Sequence, residues 1–322
     1  MLQKLAESIR NNKDILEKKE LNPIIQYIDA NSFKNGFRIF SDIGEDSAAI
    51  INNDKYILVT TDRIKTDFIE KYPYGAGFSS ILVSIDDIYA CGGTPLAASL
   101  IISYKDDRIG KKIIEGVCEG SKKFQVPIIR GHTKVHGKCY ELSSTMIGEI
   151  SKENYISAGN AKINDDVILA VDFDGKVGKA SKFYYDTTTF KNSDEILYKR
   201  KAMNEIAEKQ IANSSKDISN GGIFGTLLQL IRYSRVGANI NIKKIKIPSN
   251  LLKLKYNLEM YSRMYLTTSF IITALTKNSA EIIKIFNKFG MTANVIGKII
   301  KDKNLIKINQ GIENKSVNVI QF

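Results

Sequence analysis

Three aspartates within residues 60–95 are the side chains of this sequence best suited to chemistry. Asp62 ends a predicted strand, and Asp86 and Asp87 lie on the helix that is predicted to follow it. Carboxylates are seldom placed in an apolar strand–helix unit unless a cation compensates their charge. Mg²⁺ bound to the phosphates of a nucleotide is the obvious candidate for that cation. The alternative also stands: Asp62 is a turn residue, and the two helix carboxylates belong to a solvated face.

The elements that must position these side chains are visible in the spacing of apolar residues. One buried helix face is indicated by apolar residues at i, i+3, i+4, i+7 and i+11: Phe78, Ile81, Leu82, Ile85 and Tyr89. Residues 56–60 are predicted to form the buried strand before this helix, and residues 47–51 another strand. If the two strands pair as a hairpin, Asp46 and Asp62 lie near each other.

A second polar motif, Asp217-Ile218-Ser219-Asn220-Gly221-Gly222, precedes an apolar pattern typical of a helix. Glycines at a helix N-terminus expose backbone N–H groups, and the helix dipole favours an anion there. Ser219 can therefore donate to a phosphate, and Asp217 can hold a metal. A simple N-cap at Ser219 or Asn220 accounts for the motif equally well.

Gly131-His132-Thr133-Lys134 is predicted to be a polar turn after a buried strand at residues 126–130. The carboxyl ends of strands in open α/β sheets commonly face ligands, so Lys134 or His132 is a candidate contact for phosphate or substrate. The two histidines, His132 and His136, have HxxxH spacing, but a loop-and-strand segment is a poor zinc site. No Ser/His/Asp or Cys/His set for nucleophilic catalysis can be argued.

Length and composition indicate a two-domain protein of 322 residues, 43% of them hydrophobic. A polar passage at residues 151–165 separates two α/β units, expected to span residues 1–151 and 152–322. Residues 1–30 are predicted to form two amphipathic helices broken near Pro23, for which a packing role is favoured over a role as a lid. No apolar run reaches 18 residues and the N-terminus is charged, so neither a membrane span nor a secretory signal is expected.

The net charge indicates which partners are expected, and the cysteines indicate the cellular compartment. The net charge of +12 is scattered, without a nucleic-acid motif, so anionic metabolites are favoured over nucleic acid as partners. The cysteines, Cys91, Cys118 and Cys139, are odd in number and form no CxxC. They predict small buried thiols in a reducing cytoplasm, not disulfides or a zinc site.

Taken in order, the polar motifs resemble the PurM-like superfamily of aminoimidazole ribonucleotide (AIR) synthetase. Its relatives include thiamine-monophosphate kinase, selenophosphate synthetase and the hydrogenase-maturation dehydratase that acts on a carbamoyl group. The matching motifs lie at residues 44–50, 60–62, 84–95, 131–133 and 217–222. Each is weak alone, but together they are specific. Residues 216–227 and 265–271 are most similar to the synthetase-related proteins, a group that includes methanogenesis marker protein 2.

The resemblance implies an α/β (α+β) fold of two domains with mixed sheets. The first is a ferredoxin-like sheet domain (residues 1–151) that dimerises through its strands, and the second is a C-terminal α/β domain (residues 152–322). ATP with Mg²⁺ is expected in a groove between the sheets. The implied metal ligands are Asp46, Asp62, Asp87 and Asp217. The implied phosphate contacts are Gly131, Thr133 and Ser219, with Lys134 as a further candidate.

The activity implied by the resemblance is ATP- and Mg²⁺-dependent phosphorylation of an oxygen of a small metabolite by a cytoplasmic homodimer. The sequence departs from the family pattern at several positions. Glu45 stands where Asp is common, Asn220 replaces a frequent second Asp, and Arg130 precedes Gly131 where glycine is usual. These departures support an alternative, a nucleotide-binding regulatory or assembly protein without turnover.

Overall fold

The fold contains two large sheets, covered by helices, and one small sheet. A computed structural model describes residues 2–33, 36–41, 43–311 and 316–321. Six strands of residues 39–151 form the first large sheet, and seven strands of residues 166–321 form the second. Both large sheets mix parallel and antiparallel neighbours. The predicted fold class, an α/β protein with mixed sheets, is therefore confirmed.

The first sheet has the strand order β1-β2-β3-β6-β4-β5. Its strands are β1 (Ile39–Ser41), β2 (Ala48–Asn52), β3 (Lys55–Arg63), β4 (Thr94–Ser103), β5 (Ile128–Lys134) and β6 (Glu141–Ser151). The helices of this half are α1 (Leu2–Arg10), α2 (Lys13–Asn31), α3 (Thr66–Lys71), α4 (Pro73–Ala90) and α5 (Asp107–Phe124). Strands β4 and β5 run parallel, whereas the other neighbours are antiparallel.

Helix α4 is the central element of the first half, and most of its residues are buried. It packs against the sheet on one side and against helix α5 on the other. The two helices approach closely because each presents a glycine to the other's backbone. A Cβ at Gly77 would lie 2.1 Å from the Ile113 carbonyl oxygen, and one at Gly116 would lie 2.0 Å from the Tyr74 carbonyl oxygen. Any side chain at either position would push the helices apart.

The second large sheet has the strand order β10-β13-β7-β14-β11-β15-β16. Its strands are β7 (Asp166–Val171), β10 (Ser214–Asp217), β11 (Gly237–Asn241), β13 (Ser269–Ala274), β14 (Thr292–Ile300), β15 (Leu305–Asn309) and β16 (Val317–Gln321). The small sheet contains β8 (Lys176–Val177), β9 (Tyr184–Asp186) and β12 (Tyr265–Leu266). The helices are α6 (Ser193–Glu208), α7 (Gly222–Tyr233), α8 (Ser249–Lys253), α9 (Leu258–Ser262) and α10 (Thr276–Lys288).

Three predictions of local structure are wrong. The segment 131–134 is not a turn after a buried strand, because β5 continues through Lys134, paired with β4, and is exposed along its length. The break between the N-terminal helices lies at residues 11–12, and α2 continues through Pro23. Among the cysteines, Cys91 is buried, but Cys118 and Cys139 are exposed on α5 and on the turn before β6.

Among the described residues, no helix combines the length and the apolar character needed to cross a lipid bilayer.

Candidate nucleotide and metal site

A hairpin of strands β2 and β3 supplies two of the predicted site residues. Ala48 pairs with Val59 in antiparallel register, which confirms the predicted hairpin and leaves Asp46 close to the end of β3. Asp62 lies near that end. Leu58, Thr60 and Asp62 alternate with more exposed residues, so they share the face of β3 that lies against helix α4.

Helix α4 brings a third carboxylate to the same place. The Thr60 hydroxyl donates a hydrogen bond to Asp87 Oδ2 at 2.6 Å. The Ser84 hydroxyl, one helical turn before Asp87, donates to Asp62 Oδ2 at 2.9 Å. Residues three apart on a helix share a face, which is why Ser84 and Asp87 both reach the end of β3. Strand and helix thus hold Asp62 and Asp87 beside each other.

The fourth carboxylate comes from the second half of the chain. Asp217 ends strand β10, which pairs with β13 at the edge of the second sheet. The backbone N–H of Asp217 donates to Asp46 Oδ2 at 3.1 Å, across 171 residues of sequence. Carboxylate oxygens of Asp46, Asp87 and Asp217 lie within 4.8 Å of one another. The two halves therefore meet at a cluster of aspartates, which we call the acidic cluster: Asp46, Asp62, Asp87 and Asp217.

Crowding of like charges makes the acidic cluster electrostatically unfavourable. Burial and the neighbouring carboxylates Asp62, Asp217 and Asp46 raise the pKa of Asp87 well above its usual value. Burial and the charge of Asp46 likewise raise the pKa of Asp217, although Lys216 opposes the shift. The pKa of Asp62 is raised by burial, against the effect of its hydrogen bonds with Ser84 and Asp87. A bound cation would relieve this repulsion.

Lys216 is a counter-charge that the sequence-based prediction missed. Its ammonium group is buried, donates to Asp46 Oδ1 and also donates to the Gly44 carbonyl oxygen at 3.3 Å. Burial lowers the pKa of Lys216, but the charge of Asp46 and the hydrogen bond to it raise the pKa more, so the group stays protonated. Nothing local in the sequence pairs Lys216 with a residue 170 positions away.

The donor set fits a hard divalent cation. Mg²⁺ prefers oxygen ligands at about 2.1 Å, which in an octahedron spaces the ligand oxygens roughly 3 to 4 Å apart. The three oxygens of Asp46, Asp87 and Asp217 lie within 4.8 Å of one another, so small side-chain rotations would bring them to this spacing. Asp87 keeps part of its surface accessible, whereas the Asp46 side chain is only 5% exposed, so an ion that enters beside Asp87 can retain water ligands.

Glu45, one of the departures from the family pattern, has a structural role. Its carboxylate accepts hydrogen bonds from the Ser41 hydroxyl at 2.6 Å, the Ser157 hydroxyl at 2.5 Å and the Ala158 N–H at 2.6 Å. These bonds tie the loop before β2 to the segment that leads into the second half. The longer side chain thus serves the connection between the halves.

The glycine motif opens helix α7 without a side-chain cap. Gly221 is the N-cap residue and makes no side-chain hydrogen bond, so the alternative in which Ser219 or Asn220 caps the helix is wrong. Gly222 has φ +65°, and a Cβ there would lie 2.1 Å from the Ser262 carbonyl oxygen, so glycine is required. Ser219 is half-buried, and its hydroxyl accepts a hydrogen bond from Lys18 at 3.3 Å.

The remaining predicted contacts, Gly131, Thr133 and Lys134, lie apart from the acidic cluster on the exposed strand β5. Strand register connects the two places, because Asp62 pairs with Ser144, Ser144 with Leu100 and Leu100 with Gly131. Three strand spacings separate Asp62 from Gly131, or about 14 Å. A nucleoside triphosphate is long enough to span this distance. Two ligands of one metal ion lie much closer together, so Gly131 and Asp62 cannot share an ion.

Asp86, the neighbour of Asp87, is not part of the acidic cluster. It is buried and accepts a hydrogen bond from Arg200 Nε on helix α6 at 2.8 Å. The Arg200 guanidinium also lies 5.1 Å from the ring centroid of Phe124 at the end of α5. Asp86 therefore joins the two halves, whereas Asp87 faces the carboxylates.

The two halves of the chain match two domains of one protein family. The family models described as AIR synthase related protein, N-terminal domain and C-terminal domain match residues 44–150 and 176–308. The chain belongs to the AIR synthase related family. An uncharacterized protein of Methanocaldococcus jannaschii is 37% identical to it over 317 residues, which cover 98% of this chain and 96% of that protein. The thiamine-monophosphate kinase of Buchnera aphidicola is 28% identical over 72% of this chain and 75% of its own length.

Solved structures show the same fold. AaThiL complexed with AMPPCP and TMP superimposes with a TM-score of 0.66 at 19% identity, covering 93% of this chain and 97% of that one. T. maritima PurL complexed with ATP gives a TM-score of 0.71 at 11% identity and covers 88% of this chain. The AIR synthase related chain spans 47% of that PurL chain, about half its length.

Proposed function

We propose that this protein uses ATP and Mg²⁺ to phosphorylate an oxygen of a small metabolite. The observation that carries the proposal is the gathering of Asp46, Asp87 and Asp217, from three separate elements, within 4.8 Å of one another. Buried carboxylates that repel one another are costly unless a cation binds between them. The relationship to a protein named thiamine-monophosphate kinase supports a phosphoryl acceptor of metabolite size.

The protein's own residues bind and orient the reactants. Asp46, Asp87 and Asp217 would hold the metal, with Asp62 beside Asp87. When bound, Mg²⁺ supplies neutralisation of the charge on the transferring phosphoryl group. The Thr60 hydroxyl orients the carboxylate of Asp87, and Lys216 holds the carboxylate of Asp46 in place. The catalytic contribution of such a site is mainly positioning and electrostatic stabilisation.

The nucleotide is proposed to extend from the acidic cluster towards strand β5. Ser219 lies two residues after Asp217 and offers a hydroxyl to a phosphate. Gly131 lies about three strand spacings from Asp62, and Thr133 and Lys134 follow it along β5. These residues are within reach of the other end of the nucleotide, not of the metal-bound phosphates that the family resemblance implies for Gly131 and Thr133.

We also propose that the protein is a cytoplasmic homodimer that joins through its first sheet. Strand β5 is an exposed edge, and an unpaired edge is a template for pairing with another chain. Apolar side chains of this region are exposed: Leu96 by 41%, Ile101 by 52% and Ile129 by 63%. A second copy of the chain would bury them.

Release of ADP in the presence of phosphoryl acceptors tests this function. Purified protein is incubated with ATP, Mg²⁺ and fractions of a small-molecule extract, and ADP is measured against a no-extract blank. We expect ADP release that requires both a fraction and Mg²⁺ and is lost in Asp217→Asn, but is kept in Asp54→Asn, a variant in an exposed turn. Nucleotide binding without turnover in any fraction would favour the alternative, a nucleotide-binding regulatory or assembly protein.

A further inference from the structure

Helix α2 packs against the start of helix α7, beside the acidic cluster. Ile15 is 1% exposed, and its Cγ1 lies 3.3 Å from the positions that a Cβ would take at Gly221 and at Gly225. Glycine at these two positions lets the N-terminal helix approach the backbone of α7 closely. Asp14 on the same helix binds Lys65 at 3.1 Å, close to the end of strand β3. Helix α2 therefore bridges both halves next to the carboxylates.

Lys18 extends from this helix towards the acidic cluster. It lies three residues after Ile15 and hence on the same face of α2. Its ammonium group donates to the Gln229 side-chain oxygen at 2.7 Å and to the Ser219 hydroxyl at 3.3 Å. Both acceptors are neutral, although the carboxylates of Asp46 and Asp217 are near enough to act on it electrostatically.

The surroundings of Lys18 are unfavourable for a lysine that serves structure alone. Burial and the charge of Lys216 lower the pKa of Lys18 to about 8, against the attraction of Asp217, Asp46 and Asp14. The Lys216 ammonium group is already paired with Asp46, whereas the Lys18 ammonium group is hydrogen-bonded only to neutral acceptors, so a bound anion would stabilise Lys18. A phosphate oxygen is such an anion, and the Ser219 hydroxyl is beside Lys18 to share it.

We propose that Lys18, on the N-terminal helix, is a phosphate-contacting residue of the nucleotide site, with helix α2 forming one wall of that site. This inference rests on the proposed function, because the anion is a phosphate of ATP bound with Mg²⁺. It assigns the N-terminal helices a part in ligand binding beyond packing. Lys18 acts with Ser219, so a nucleotide phosphate replaces the neutral Gln229 as the partner of the ammonium group.

Calorimetric binding of the non-hydrolysable analogue AMPPCP with Mg²⁺ tests the role of Lys18. Wild type is compared with Lys18→Gln, Lys18→Arg and Lys13→Gln, the last being an exposed lysine at the start of the same helix. We expect Lys18→Gln to bind at least tenfold more weakly, since a charge-assisted contact is lost. Lys13→Gln should bind as wild type does, and Lys18→Arg, which keeps the charge, should bind more tightly than Lys18→Gln. Thermal unfolding of each variant without ligand shows whether the fold is kept.

The outcomes separate this inference from the proposed function. Wild-type binding together with unchanged binding in Lys18→Gln would overturn the role of Lys18 and leave the nucleotide site standing. Failure of wild type to bind AMPPCP with Mg²⁺ would overturn both. If Lys18 had a structural role alone, Lys18→Gln would have a lower unfolding temperature, but the folded variant would bind AMPPCP with wild-type affinity. That result would also contradict the inference.

Discussion

Asp86 and Arg200 form a buried ion pair between the two halves of the chain, with 2.8 Å between Arg200 Nε and Asp86 Oδ1. Their side chains are 3% and 0% exposed. The pair lies one residue from Asp87, so the contact that joins the halves also sets the position of a site carboxylate.

Removing one partner of this pair should be strongly destabilising. Arg200→Met leaves the Asp86 carboxylate buried and unpaired, at a cost of about 3–5 kcal/mol in the free energy of unfolding. The double variant Asp86→Leu/Arg200→Met should recover much of that loss, because no charge remains buried. Chemical denaturation measures both. The matched control is Lys209→Met, which breaks an exposed pair with Glu281 and should cost less than about 1 kcal/mol. Equal losses of unfolding free energy in Arg200→Met and Lys209→Met would contradict the stabilising role of the Asp86–Arg200 pair.

The sequence predicts which elements carry the site better than it predicts what the site residues contact. Apolar spacing places α4 correctly, and the hairpin that brings Asp46 towards Asp62 follows from two strands and a turn. Apolar spacing alone does not distinguish Asp86 from Asp87, which only the family resemblance separates, because the burial of Asp86 depends on Arg200, 114 residues away. The contact of Lys18 with Ser219 spans 201 residues and also leaves no local signal. The turn predicted at residues 131–134 is a strand because β4 supplies its hydrogen-bonding partner.

Asp87→Asn should stabilise the metal-free protein. The substitution removes one of the mutually repelling charges of the acidic cluster, which raises the free energy of unfolding by on the order of 1 kcal/mol and the unfolding temperature by roughly 2 °C. Thermal unfolding in the presence of EDTA measures the effect. With Mg²⁺ and AMPPCP present, wild type should have the higher unfolding temperature, because the bound ligand stabilises wild type and not Asp87→Asn. A variant that is less stable than wild type in EDTA would show that the repulsion is not significant.

The free energy of unfolding of the metal-free protein should also depend on pH. A carboxylate with a lowered folded-state pKa loses stability as pH falls, but the carboxylates of the acidic cluster should gain it. The folded-state pKa values of Asp87 and Asp217 are raised by burial and by neighbouring carboxylates. Between the unfolded value, about 3.9, and those raised values, the folded state binds more protons, so their contribution to stability grows as pH falls. The difference in unfolding temperature between Asp87→Asn and wild type in EDTA should therefore shrink as pH is lowered. A constant difference would contradict the raised pKa.

The exposed edge of the first sheet should carry the dimer contact. Ile129→Lys places a charge on strand β5 in a region that is apolar and exposed. We expect the wild type to be a dimer by light scattering and the variant to be a monomer. Ile163→Lys, which changes a residue of similar exposure, 54%, in the segment that connects β6 to β7, should remain dimeric. A dimeric Ile129→Lys protein would place the interface elsewhere.

The acidic cluster can be tested directly by titration with Mn²⁺, a spectroscopically visible substitute for Mg²⁺, followed by electron paramagnetic resonance of the free ion. We expect wild type and Asp54→Asn to bind Mn²⁺ alike and AMPPCP to strengthen this binding. Asp87→Asn and Asp217→Asn should each weaken Mn²⁺ binding at least tenfold, because a charged ligand is lost. Equal Mn²⁺ affinity in all four proteins, or no binding by wild type with AMPPCP present, would contradict the assignment of the acidic cluster as a metal site.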